Sequence, residues 1–327
     1  MNILLTTTCS RRCPYCFAQE RVTLEPGAPT KRTAPPHISR EDFSRAIEFA
    51  KTGAARQVGI LGGEPSLHPQ FTELLELAWD AGFHTKIFSN GMWRERDLDA
   101  LATRVFPQRR RKPFHVVLNM NEPERTPAHE QRAQAKLLET LGRNCTLSFN
   151  ISRLNFDPMF LVDTIMRYGT TRHIRLGVAQ PLAQIDNEHI SMSDYPKMAE
   201  TLMRLADACD ERDIRIGFDC GFTVCMFDEQ QHGRLMLAAA RFRADCGPTI
   251  DVGTDLSAWA CFPLSTFCEC VNLEDFENLA SLGRHFEKQF RRLYRTGALD
   301  ECVECRHRRR GACAGGCAAH VYRRVAS

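Results

Sequence analysis

The sequence predicts an α/β fold: a parallel sheet of repeated βα units, curled toward an open or closed barrel, with a smaller cysteine-rich domain after it. Three observations carry this reading. Strand-like and helix-like segments alternate over roughly the first 220 of 327 residues, and parallel βα units join by right-handed crossovers. The alternation fades near Phe222, which sets the expected domains at 1–222 and 223–327. Of fifteen cysteines, two clusters stand out at the two ends of the chain: Cys9, Cys13 and Cys16, and Cys302, Cys305, Cys313 and Cys317.

The elements follow in order. Residues 2–7 form a short apolar, β-branched run that reads as a buried strand. Residues 27–36 are a Pro/Gly/Thr-rich loop. Ser39 is placed as an N-cap ahead of Phe43, Ala46, Ile47 and Ala50, which fall at helical spacing before Gly53. Residues 58–61 read as a strand ended by Gly62, Gly63, Glu64 and Pro65. Phe71, Leu74, Leu75 and Ala78 mark the next helix, and a strand at 85–88 runs into Ser89, Asn90 and Gly91. Further strands are expected at 114–118, 146–151, 173–178 and 214–218, with helices near 127–141, 158–168 and 192–212. In parallel α/β folds ligands sit at the carboxyl ends of the strands. The loops 9–16, 62–65 and 89–91 each follow a strand, so they should share one rim.

Composition narrows the function classes. Hydrophobic residues at 43% and charged residues at 25% exclude a mainly disordered chain. No stretch approaches the ~18 uninterrupted apolar residues of a membrane span, and the first eight residues do not form a signal peptide. A net charge of +3 is too small to argue for nucleic acid. A cytoplasmic protein is expected, with neither membrane nor nucleic acid as partner. Clustered cysteines there point to metal or catalysis before disulfides. The basic run 109–112 reads as solvated surface, while the run 306–310 could hold an anionic cluster or a substrate carboxylate.

Cys9, Cys13 and Cys16 are spaced Cys-x3-Cys-x2-Cys. Three thiolates on one loop suit three irons of a cubane cluster, leaving one iron open to a substrate or cofactor. A zinc knuckle is the alternative, but the nearest imidazole, His37, lies beyond the Pro-rich loop. With aromatic Tyr15 before the third cysteine and the Gly-Gly-Glu-Pro loop one βα unit later, the pattern resembles the radical S-adenosylmethionine (SAM) enzymes. The resemblance covers roughly residues 1–220 and implies a partial (β/α)6 TIM-like barrel. It further implies that the open iron of a 4Fe–4S cluster chelates SAM, and that an electron from an external flavodoxin- or ferredoxin-type donor cleaves SAM to a 5′-deoxyadenosyl radical.

The resemblance also implies roles. Gly62 and Gly63 would let backbone approach the methionine moiety, and Glu64 or its adjacent carbonyls would hold the SAM ammonium. Tyr15 would lie against the adenine. Ser89 and Asn90 resemble the family's polar pair near the ribose. Asn119 or Asn121, and Asn150 or Ser152, are candidates for ribose and carboxylate contacts. Leu176 or Val178 would pack on the adenine, with a plain core role as the alternative.

At the other end, Cys302 and Cys305 precede Cys313 and Cys317, with Cys246 and Cys261 upstream. This resembles the SPASM/twitch extension of radical SAM proteins, which houses one or two auxiliary 4Fe–4S clusters. The segment 255–261 resembles its short hairpin. Leu256 replaces the expected hairpin glycine, and the seventh cysteine expected beyond Cys317 does not occur in the sequence. A second auxiliary cluster would then have an open iron or borrow a ligand from Cys220, Cys225, Cys268 or Cys270. Phe262 stands where sulfatase-maturing members carry an aspartate, which disfavours that reaction. A zinc ribbon at 302–317 is the alternative, and Cys145 and Cys209 read as buried small hydrophobes.

The functional expectation is an oxidoreductase that abstracts hydrogen from a ribosomal peptide or protein side chain, crosslinking or oxidising it. Dehydrogenation of a small molecule, such as a sugar alcohol or an aminoglycoside, is the first alternative, and a non-catalytic iron–sulfur or zinc scaffold is the second. No winged-helix segment precedes the first strand of this sequence. A peptide would therefore be expected to bind at the barrel rim, at the run 306–310 or through a separate protein.

Overall fold

The computed structural model of the chain describes residues 1–22, 34–105, 114–237, 242, 244–267 and 270–326. The basic run 109–112, much of the loop 27–36 and Cys268 lie outside these residues. Seven parallel strands follow one another across the sheet: β1 (Asn2–Leu4), β2 (Gln57–Leu61), β3 (His84–Ser89), β4 (Phe114–Asn119), β5 (Cys145–Ile151), β6 (His173–Val178) and β7 (Arg215–Phe218). Only β1 is much shorter than its sequence pattern. Thr7 leaves the ladder to donate to Pro36 O at 2.9 Å, and Thr6 bridges His37, so the chain turns away after Leu5.

The connecting helices are α1 (Arg40–Ala50), α2 (Phe71–Asp80), α3 (Glu95–Ala100), α4 (Ala128–Leu141), α5 (Met159–Tyr168) and α6 (Ala199–Asp210). Ser39 caps α1, its Oγ accepting from Asp42 N at 3.0 Å. The expected helix over 192–212 divides into a 3₁₀ segment, Met192–Met198, and α6. Pro196 lies in the first part and has no N–H to donate to an α-helical ladder.

Period-two alternation sorts the sheet faces. Ile3, Ile60, Ile87, Val116, Leu118, Leu147 and Leu176 join the stripes of α1 and α2 in one large apolar core. The opposite face carries Leu4 and Leu61 beside Trp259 and Phe262, and also Arg175, which pairs with Asp219. That face lines the interior of the curved sheet.

The sheet continues past β1. Strand β8 (Ile250–Val252) pairs with β1 in parallel, β9 (Ser257–Ala260) pairs with β8 antiparallel, and β10 (Val271–Asn272) ends the order β10-β9-β8-β1-β2-β3-β4-β5-β6-β7. At the seam Asn2 Nδ2 donates to Asp251 Oδ1 at 2.7 Å. Helices α7 (Glu229–Leu237), α8 (Leu279–Phe290), α9 (Arg306–Arg309) and α10 (Ala318–Ala326) complete the cysteine-rich end. Among the described residues no helix is long and apolar enough to cross a membrane.

Candidate active site

The loop carrying Cys9, Cys13 and Cys16 leaves β1 at its carboxyl end and lies on the loop after β2. Gly63 N donates to Thr6 O at 2.9 Å and Glu64 N donates to Thr8 O at 2.8 Å. A Cβ on Gly63 would press on Thr8 O and stand 2.7 Å from Cys9 Cβ, and one on Gly62 would stand 2.8 Å from Thr6 O. Both distances are below any normal contact. The two glycines therefore let the β2 loop pass beneath the cysteine loop, a constraint internal to the chain that the sequence reading did not include.

Glu64 turns its side chain inward and is fully buried. Its carboxylate accepts from Ser66 N at 3.2 Å, Ser66 Oγ at 2.8 Å, Ser89 Oγ at 2.9 Å and Asn90 N at 2.8 Å. Burial pushes its pKa up, against four donors that favour the charged form. The carboxylate is thus occupied by donors of the chain itself. Ser89 Oγ donates to Glu64 and accepts from Gly91 N at 2.9 Å and Trp93 Nε1 at 2.6 Å. A hydroxyl has one proton and two lone pairs, so this one is saturated. Asn90 is similarly engaged: Nδ2 donates to Ser10 Oγ at 3.2 Å and Oδ1 accepts from Met92 N at 2.9 Å. Their side chains position the rim.

A further positioning residue, Arg11, was not singled out by sequence. It sits between two candidate ligands yet is buried. Its guanidinium donates to Asn119 O at 3.0 Å and to Asn90 O at 3.2 Å, and pairs with buried Glu130 of α4. One side chain thus clamps the cysteine loop to the ends of β3 and β4. An Arg within a cysteine motif looks like a surface residue until the fold supplies Glu130.

Tyr15 is also buried. Its hydroxyl donates to Asn121 Oδ1 at 2.5 Å and accepts from Asn119 Nδ2 at 3.1 Å, and Asn150 Nδ2 donates to Asn119 Oδ1 at 3.0 Å. Tyr15, Asn121 and Asn150 border a cleft of about 320 Å³ also lined by Cys13 and Ser152, with Arg12, Arg125 and Arg153 among its charged walls. Leu176 lies elsewhere. It is fully buried in the helix-side core, facing away from the barrel interior, and Val178 belongs to the same core.

Burial pushes the Cys9 thiol up to about 12 and the Cys16 thiol up to about 11. It raises Cys13 as well, although the Arg11 guanidinium favours the Cys13 thiolate. Cys16 borders the apolar cluster of Leu4, Ala18, Leu61, Trp259 and Phe262, which keeps water from that side. Among the described residues no three His, Cys, Asp or Glu side chains converge on a point that would hold a single metal ion. A cubane makes a different demand, since each thiolate takes its own iron. Three thiols on one loop, a floor without Cβ atoms under Cys9 and a cation beside Cys13 fit such an anionic group.

In the cysteine-rich end Cys302, Cys313 and Cys317 are buried, Cys246, Cys261, Cys270 and Cys305 are half-buried, and Cys220 and Cys225 are exposed. Leu256 adopts φ +59° and Cys261 φ +67°, so the hairpin places a side chain in the left-handed region where glycine is expected. Phe262 packs against Phe17 and Trp259 at ring separations of 5.3 and 5.4 Å. The basic run 306–310 is largely spoken for: Arg306 pairs with Glu229, Arg309 with Glu304, and Arg308 donates to Cys302 O at 3.2 Å and Tyr294 O at 2.9 Å.

Comparison with known proteins agrees with this geometry. Residues 3–107 match the profile of the radical SAM superfamily. The GTP 3′,8-cyclase of Chlorobaculum tepidum is 32% identical over 103 residues, covering 31% of this chain and 28% of that protein. The 7-carboxy-7-deazaguanine synthase of Methanocaldococcus jannaschii is 36% identical over 94 residues, covering 27% and 38%. The matches thus span about a third of these curated relatives. Among solved structures, SuiB of Streptococcus suis bound to S-adenosylmethionine aligns over 97% of this chain and 72% of its own, at TM-score 0.65 and 15% identity. The structure of native anSMEcpe with bound AdoMet aligns over 97% and 88%, at TM-score 0.66 and 17% identity. The superfamily profile thus covers the cysteine loop, β1, β2 and β3, the fold of both S-adenosylmethionine-bound structures is shared along nearly the whole chain, and enzymes of the radical SAM superfamily use a 4Fe–4S cluster and SAM.

Proposed function

We propose that residues 1–222 form a SAM-cleaving core and residues 223–327 a SPASM/twitch-like domain with auxiliary 4Fe–4S clusters, and that the enzyme oxidises or crosslinks a peptide or protein side chain. The observation that carries the core reading is the cleft bordered by Cys13, Tyr15, Asn121, Asn150 and Ser152. Cys9, Cys13 and Cys16 would hold the SAM-binding cluster, and Cys246, Cys261, Cys302, Cys305, Cys313 and Cys317 would serve the auxiliary ones. When bound, cluster and SAM together supply a radical able to take hydrogen from an unactivated C–H bond. The chain supplies the rest. Arg11 fixes the loop and lends positive charge near Cys13, the 62–65 backbone offers carbonyls to an ammonium, and the Tyr15–Asn119–Asn150 network holds the cleft walls. Buried Trp259, Phe262 and Leu4 exclude water, which protects a reactive intermediate from side reactions.

Two fold neighbours support a peptide substrate: one SuiB structure holds the precursor peptide SuiA, and one anSMEcpe structure holds the Cp18Cys peptide. The curated relatives, a GTP cyclase among them, favour the small-molecule reading as the second choice. Anaerobically reconstituted protein given SAM, dithionite and a peptide encoded beside its gene is expected to yield 5′-deoxyadenosine and a peptide lacking two hydrogen atoms. Turnover of a free sugar or nucleotide, with the peptide untouched, would favour the small-molecule reading instead.

A further inference from the structure

Resting on the peptide reading above, we infer that Lys86 and Arg175 form a carboxylate site inside the barrel. It takes an acidic side chain of the substrate and so sets which peptide segment meets the cleft.

The sheet builds the pair. Ile87 and Leu176 belong to the helix-side core, so Lys86 and Phe88 on β3 and Arg175 on β6 point into the barrel. Strands β4 and β5 lie between them in the sheet order. Curvature closes that gap. Lys86 Nζ stands 5.3 Å, and the Arg175 guanidinium carbon 5.5 Å, from the centre of the same Phe88 ring. Both lie within the reach of a cation–π attraction, and two like charges share one aromatic side chain.

The charges around that ring do not balance. Arg175 pairs with Asp219 and donates to Ser148 Oγ at 3.2 Å. Among the described residues Lys86 has neither an ion pair nor a hydrogen bond, and its recorded partner is the Phe88 ring. His115 pairs with Lys86 in the ladder, and its Nε2 lies 2.7 Å from Thr146 Oγ1. Burial and the nearby Lys86 push this histidine down to about 4, so it is neutral at pH 7. Of the three charges on Lys86, Arg175 and Asp219, one is left over, and it is positive. The group is open to solvent: the Arg175 and Asp219 side chains are 25% and 40% exposed, and Lys86 is half-buried. Burial and Arg175 both lower the Lys86 pKa. An ammonium so placed is stabilised by an arriving anion, and one surplus charge matches one carboxylate.

The site is also close to the chemistry. Arg175 pairs with Ser148 across β5 and β6, and Ser148 pairs with Asn119 on β4. Ser148 is two residues before Asn150 on the same strand face. The cations therefore lie one layer below the Tyr15–Asn119–Asn150 network. On its other side Phe88 packs against the apolar cluster that Cys16 borders. An acidic side chain seated here leaves the neighbouring peptide residues at the level of the cysteine loop.

The test is calorimetry on the anaerobically reconstituted full chain with SAM bound. The probes are N-acetylglutamate α-amide, whose one carboxylate is on the side chain, and N-acetylglutamine amide, its neutral isostere. The wild type is expected to bind the acid about tenfold more tightly. Lys86→Met keeps the apolar stem and should abolish the preference, whereas Lys86→Arg should keep it. Asp219→Asn removes the competing carboxylate and should strengthen the preference, an outcome that misfolding cannot imitate. Equal affinity for both probes in the wild type, a preference surviving in Lys86→Met, or a weaker one in Asp219→Asn would overturn the inference. Tighter binding of N-acetylalanine, whose carboxylate is its terminus, would overturn the side-chain assignment. Failure of the peptide reading shows separately, as an unmodified peptide in the turnover assay, because these affinities are measured without turnover.

Discussion

The cysteines at the two ends of the chain are brought together by different means. At the N-terminal end three thiols fall within one loop, between Cys9 and Cys16, and the protein's task is to fix that loop. It does so with main-chain bonds to the β2 loop and with the buried Arg11–Glu130 pair. At the other end the thiols lie on separate segments from Cys246 to Cys317, and those segments are carried by the sheet seam, the hairpin and the turn before α10. A local site tolerates change elsewhere and fails when its own loop is disturbed. An assembled site fails when any of its segments is displaced.

The sharpest way to break this contrast is at Gly63. In Gly63→Ala the new Cβ would press on Thr8 O and Cys9 Cβ, and overpacking of this kind costs about 1–3 kcal/mol. The displaced cysteine loop should lose its cluster, so iron should fall by about four per chain and SAM cleavage should fall to background, with the auxiliary iron retained. Full SAM cleavage in this variant would mean that the two loops need not touch.

A smaller effect is expected at the seam, where the two regions share β1 and β8. Asp251 is buried, and burial pushes its carboxyl up to about 7 against the Asn2 donor. Well below the ordinary Asp value of 3.8 it is neutral in both folded and unfolded chains. As pH rises toward 7 the unfolded chain releases the proton and the folded one keeps it, so stability is lost across that window and levels off above it. Three pKa units correspond to about 4 kcal/mol at most. Asp251→Asn should flatten the urea-unfolding profile between pH 4 and 7, and matching profiles for the two proteins would refute the assignment. If the seam matters chiefly to the assembled site, auxiliary iron should respond to pH before SAM cleavage does.

How legible each region was follows from the same distinction. The strands, the Ser39 cap and the stripes of α1 and α2 come from short-range periodicity, and apart from the shortened β1 the structure has them where the pattern puts them. The cysteine triplet and the Gly-Gly-Glu-Pro loop are each contiguous, so the family likeness they carry could be read directly. Arg11 was missed because its partners Glu130, Asn90 and Asn119 lie 79 to 119 residues away. Leu176 shows the opposite case: a strand alternates faces, and no local signal says which face is the interior until the register is known. The pairing of β8 with β1 rests on contacts that no spacing encodes.

We assign SAM cleavage to the local thiol triplet and not to the cysteines of the C-terminal end. The most direct test is 5′-deoxyadenosine formation by Cys9/Cys13/Cys16→Ala, measured with dithionite and SAM beside an iron determination on the same sample. The expected result is no 5′-deoxyadenosine above background with iron still bound at the C-terminal end. Formation of 5′-deoxyadenosine by that variant would contradict the account.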